Sequence, residues 1–128
     1  MLFLYNRRKE AIVSAKTAGF EWILNFYSGY NNVLPITGQV FTSIRVGRCH
    51  GTLMLGDQVV LTESDIPFGR GEIVFRKHAK LGDLCTHDFE FQLNGTNSVE
   101  GTAAALTRIY GVAVDRETEG TVLRVKML

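Results

Sequence analysis

From Arg7 onward the polar positions Glu10, Ser14, Thr17, Glu21, Asn25 and Ser28 recur at spacings of four, three, four, four and three. That repeat traces one stripe of an α-helix. The opposite stripe carries Ile12, Ala15, Gly19, Trp22, Ile23 and Phe26, so the spacing predicts an amphipathic helix over about 7–27. Asn6 is placed to cap its start, and Gly29 with Asn31-Asn32 to end it. Phe20, Leu24 and Tyr27 lie beside the main stripe and widen the apolar arc. A helix apolar over so wide an arc has surface for two neighbours, and a second subunit is one of them.

After Pro35 the period changes to two. Val40, Thr42, Ile44 and Val46 alternate with Phe41, Ser43 and Arg45, as on a strand. Thr52–Leu55 and Gln58–Leu61 flank Gly56-Asp57, which predicts a tight hairpin. Ile66–Gly71 reads as a loop, Glu72–His78 as a strand and Lys80–Asp83 as a turn. Cys85 to Leu93 alternates again, with Phe89, Phe91 and Leu93 on one face. Ala103–Tyr110 reads as a short helix closed by Gly111, and Val112–Asp115 with Thr121–Lys126 as a last hairpin. The class expected is α+β: an antiparallel sheet of about six to seven strands, an N-terminal amphipathic helix and a second short helix near the C-terminus.

A chain of 128 residues with 45% hydrophobic and 21% charged residues fits one ordinary globular domain, residues 1–128. Fourteen Lys and Arg against thirteen Asp and Glu leave a net charge of +1, so no long-range field argues for nucleic acid or an acidic membrane as partner. Arg7-Arg8-Lys9 reads as a solvated helix face. The apolar start Met1–Tyr5 stops before Arg7, too short for a signal peptide, and no stretch has the length of a membrane span. A cytoplasmic location with reduced thiols is the expectation.

Every Cys and His lies between Cys49 and His87: Cys49, His50, His78, Cys85 and His87. These residue types ligate zinc and other transition metals. On strands, Cys85 and His87 share a face with Phe89, and His50 shares one with Ile44. His50, Cys85 and His87 therefore form a candidate three-ligand site, open as catalytic zinc sites are. The competing reading makes them core residues, since free Cys is commonly buried and no paired Cys-x-x-Cys accompanies them. A Cys49–Cys85 disulfide, a Cys85 nucleophile served by His87 or His50, and an anion-binding turn at Gly69-Arg70-Gly71 are further alternatives.

The segment Ala103–Tyr110 followed by Gly120-Thr121 and a closing strand resembles the tail of the ATPase domains of histidine kinases and anti-sigma factors. The Asp-x-Gly-x-Gly box that would hold adenine in that family is absent, so no nucleotide is assigned. With no catalytic motif in view, the function expected is a non-catalytic binding, regulatory or assembly module that self-associates, through an interface including Phe20, Leu24 and Tyr27. The alternative is a metal protein using His50, Cys85 and His87, with zinc as the cofactor. A third is a small enzyme with Glu72, Asp88 or Arg48 in a cleft between sheet and helix.

Overall fold

The computed structural model describes residues 6–10, 20–26, 34–47 and 53–128, with 6–10, 20 and 21 as backbone alone. Among the described residues six strands form a single sheet: β1 (Asn6–Glu10), β2 (Phe20–Phe26), β3 (Val40–Val46), β4 (Gln58–Glu63), β5 (Ile66–Lys80) and β6 (Glu119–Met127). Helix α1 spans Val99–Tyr110. The spatial order is β1-β2-β4-β5-β6-β3.

The expected class is corrected on three counts. The fold is mostly sheet, β2 and β4 run parallel within it, and strands stand where the N-terminal helix was expected. Asn6–Glu10 pairs antiparallel with Phe20–Phe26, Asn6 opposite Leu24. The physical reason lies in a second pattern in the same residues. Phe20, Trp22, Leu24 and Phe26 also recur at period two, and this β-prone run pairs with β4, Leu24 opposite Leu61. Tertiary pairing overrides the helical spacing of the polar residues. Residues 11–19 of the expected helix, with Tyr27, lie outside the described residues.

Other elements shift as well. Ser64 and Asp65 turn β4 into β5 with φ of 48° and 69°, and β5 takes in the run expected as a loop. Residues 53–57 form a turn, in which the Asp57 carboxylate accepts from the Met54 N–H at 2.9 Å. In place of a strand after Cys85, a 3-10 turn covers Thr86–Phe89, and only Gln92 bridges the sheet, beside Thr42. The expected helix is present and longer, with Ser98 at its N-cap accepting from the Gly101 N–H at 3.0 Å. Gly111 ends it at φ 73°, a left-handed position where glycine is unstrained. No strand forms at Val112–Asp115.

Both faces of the sheet are covered. On one, Leu24, Phe41, Val59, Leu61, Ile73, Leu123 and Val125 form a core with Leu53 and Leu93. On the other, Ile44 and Val122 pack with Leu81, Leu84, Phe89 and Val114 beneath Ala103 and Leu106 of α1. Strand β6 therefore buries side chains on both sides: every residue from Thr121 to Val125 is buried, Thr121 and Arg124 along with Val122, Leu123 and Val125. The sheet also curls. β2 and β3 are not neighbours in the strand order, yet the rings of Phe26 and Phe41 meet edge-on at 6.0 Å. The Arg45 guanidinium donates to the Asn25 carbonyl at 3.0 Å across the same gap.

Candidate functional site

Where β2 and β3 approach without pairing, a cleft opens and α1 walls it. Its lining comes from Asn25 and Phe26 of β2, Thr42–Arg45 of β3, Gln92–Asn94, and Thr102, Ala105, Leu106, Ile109 and Tyr110 of α1. The space between these walls is about 610 Å³ with the open mouth and its solvent included.

Asn25, Thr42, Ser43, Arg45 and Thr102 are buried, Gln92 and Asn94 partly so. The Asn25 Oδ1 accepts from the Thr62 hydroxyl at 2.6 Å and from the Asp65 N–H at 2.8 Å. Arg45 donates from Nε to the Ser43 hydroxyl at 2.8 Å, and its guanidinium lies 4.7 Å from the Phe26 ring centroid. A cation over an aromatic face is stabilised by the ring quadrupole. Gln92 ties the 92–96 segment to α1, its Nε2 donating to the Thr96 hydroxyl at 2.8 Å and the Thr102 hydroxyl at 3.0 Å.

The edge of β3 adds backbone groups. Gly47 N–H donates to Glu119 O and Met127 N–H to Gln39 O, so the odd-numbered residues of β3 bond to β6 and the even-numbered ones face the open edge. There the Thr42 N–H donates to the Phe91 carbonyl at 2.9 Å and the Val46 N–H to the Tyr110 hydroxyl at 3.4 Å. Ile44 lies between them, 5% exposed. None of the described residues takes its N–H or C=O. Buried backbone groups are otherwise almost always paired.

The residues singled out from sequence sit elsewhere. Cys85 and His87 are exposed on the far side of the 3-10 turn, not on a strand. The Cys85 thiol donates to Asp88 Oδ2 at 3.3 Å, and His87 Nδ1 meets Glu90 Oε1 at 2.8 Å. His50, Cys49 and Arg48 lie outside the described residues, as does Tyr27. Among the described residues no three His, Cys, Asp or Glu side chains gather as a metal site. Leu24 is fully buried in the core, and of Phe20 only the backbone is described. His78 bonds Glu119 Oε1 at 2.9 Å. Glu72 stands on β5 opposite Lys126, and Asp88 is buried against Lys77 at 2.6 Å. Gly69-Arg70-Gly71 lies within β5, the glycines opposite Leu61 and Val59 of β4.

The cleft residues Asn25, Ser43, Ile44, Arg45 and Gln92 were not singled out by the sequence. The signal available was Thr42, Ser43 and Arg45 together in one otherwise apolar strand. Polar side chains on both faces of a covered strand indicate that something polar is met there.

No family model matches the chain, and no curated protein matches it. Among solved structures, the crystal structure of an ASCH domain from Lactobacillus crispatus is similar, with a TM-score of 0.52 at 14% identity. The match covers 70% of this chain and 65% of that one, so this chain spans slightly under two thirds of that protein's length. At that identity the likeness is one of fold: a curled, mostly-sheet domain. No helix among the described residues is long and apolar enough to cross a membrane.

Proposed function

We propose that this protein is a non-catalytic binding module that takes a small polar ligand in the cleft between β3 and α1. The observation that carries this reading is the composition of the lining. Buried amide, hydroxyl and guanidinium groups from three elements converge on one opening, each fixed by hydrogen bonds. Such preorganised polar groups in a largely apolar cavity are what gives a ligand site its specificity. The described lining holds no carboxylate, imidazole or thiol, the groups that acid–base or nucleophilic catalysis most often uses. That favours binding over catalysis.

Ile109 of α1 lines the cleft and is only half-buried, so Ile109→Trp fills the opening without disturbing the core. Saturation-transfer NMR with a panel of polar, amide-bearing small molecules tests the reading. Compounds should bind the natural protein and lose binding to a folded Ile109→Trp variant. Binding that survives in the variant, or no binder in the panel, sinks it.

Self-association is a second reading, favoured by a separate observation. Leu34, Ile36, Val40 and Leu128 are exposed apolar side chains. Gly38 N–H donates to Met127 O, which brings the 34–40 segment beside the C-terminal strand.

A further inference from the structure

Strand edges usually recruit peptides, because a run of alternate residues offers a ladder of donors and acceptors. Within the cleft, the β3 edge is different. The Thr42 N–H is taken by the Phe91 carbonyl, and Gln92 runs beside Thr42 as a bridge. Four residues further along, the Val46 N–H meets the Tyr110 hydroxyl. What remains is one residue, Ile44, whose N–H and C=O point the same way into the cleft. An added strand would have room for a single pair before meeting Phe91 on one side and Tyr110 on the other. It would gain almost none of the ladder that makes strand addition favourable.

A cyclic amide suits this edge. A ring holds its amide cis, so the donor N–H and the acceptor C=O lie side by side on one rim. An acyclic peptide group is trans, and its N–H and C=O point in opposite directions. A lactam can therefore accept from the Ile44 N–H and donate to the Ile44 C=O at once. The surroundings agree with a small flat ring. Phe26 offers an aromatic wall, while Ala105, Leu106 and Ile109 offer an apolar one. Asn25 and Arg45 stand near the seam, where further carbonyl oxygens of such a ring would meet them.

We infer that the cleft selects a lactam-type ring through the backbone N–H and C=O of Ile44. This rests on the cleft being the binding site proposed above, and it adds the ligand's chemistry. The expected recognition comes from backbone atoms, so no side-chain motif in the sequence would announce it.

The test is amide-resolved NMR of the whole chain titrated with three probes. Uracil has lactam edges, 1,3-dimethyluracil is the same ring without N–H donors, and N-acetylglycine N-methylamide has trans amides only. Uracil should move the Ile44 amide resonance saturably, and the other two should bind at least about tenfold more weakly, the effect of a lost hydrogen bond. Equal or tighter binding of the trans amide overturns the lactam inference. So does uracil binding that moves Asn25, Gln92 and Tyr110 but not Ile44; the cleft then remains a binding site with a different mode of recognition. If none of the three perturbs the cleft, the lactam inference fails, and the binding-module reading is decided by the Ile109→Trp comparison alone.

Discussion

Asp88 shows how a single residue changes meaning between sequence and structure. With Glu72 and Arg48 it was one of three charged residues expected in a cleft between the sheet and the first helix of a small enzyme. In the fold it is a buried brace. Its Oδ2 receives the Lys77 ammonium at 2.6 Å, the Cys85 N–H at 2.9 Å and the Cys85 thiol at 3.3 Å. Burial by itself would raise the carboxyl's pKa, but the Lys77 hydrogen bond and the two Cys85 donors outweigh it and hold it below the ordinary range. A depressed folded-state pKa means that Asp88 contributes its stability above the unfolded value, near 3.9, and loses it as the pH falls through the folded value. Asp88→Asn should cost about 1–3 kcal/mol at neutral pH, the range for donors left without their acceptor. Lys77 is partly exposed and can return to water, so the larger penalty of a sealed ion pair is not reached. Urea midpoints measured across the acid range should fall less steeply for the variant than for the natural protein. Parallel acid limbs would mean that Asp88 is not held below its usual range.

Elements succeed or fail according to where their deciding contacts lie. Gly69-Arg70-Gly71 carries the composition of a turn, yet it runs inside β5, because the neighbouring strand needs the space. A Cβ on Gly71 would overlap the Val125 side chain, and one on Gly69 would overlap the Met127 methyl. The glycines are there for close packing, not for flexibility. Gly71→Ala should lower stability by about 1–3 kcal/mol, as overpacking does; a urea midpoint unchanged from the natural protein would contradict this. Strands β3 and β6 and helix α1 were legible because each carries its own evidence: alternation at Val40–Val46, the Val122, Leu123 and Val125 of Thr121–Lys126, and Gly111 after Tyr110. The N-terminal strands were not, since Glu21 and Asn25 fit a helical stripe while Trp22, Leu24 and Phe26 fit a strand. Only β4, more than thirty residues away, decides between them. The phase of Cys85–Leu93 broke for a local reason: a 3-10 turn at Thr86–Phe89 and a left-handed Phe91, φ 67°, which leave Phe89 buried and Phe91 exposed. The cleft was the least legible feature. Its central groups are the backbone atoms of Ile44, which no side-chain pattern reports, and its walls come from residues far apart in the chain.

At the scale of the whole molecule, the sheet has spent its apolar surface on two cores, one within its curl and one under α1. What is left exposed gathers in part where Leu34, Ile36 and Val40 adjoin the C-terminal strand; Ile36 is 73% exposed. Burying such a patch against its copy by a two-fold axis satisfies both subunits with one surface. Native mass spectrometry reads subunit count and bound metal together, and so separates the assembly reading from the metal reading in one experiment. The expected spectrum is a metal-free dimer, returned to monomer by Ile36→Asp, a change far from the cleft lining. The metal reading needs His50, outside the described residues, to reach Cys85 and His87, whose donors now face Asp88 and Glu90. A monomer carrying one zinc per chain would show that it does, and would take the Leu34–Val40 patch out of the account of assembly. A dimer unaffected by Ile36→Asp would keep self-association but move the interface elsewhere. The cleft proposal stands apart from all three outcomes, because none of its lining residues belongs to the patch or to the Cys85–His87 turn.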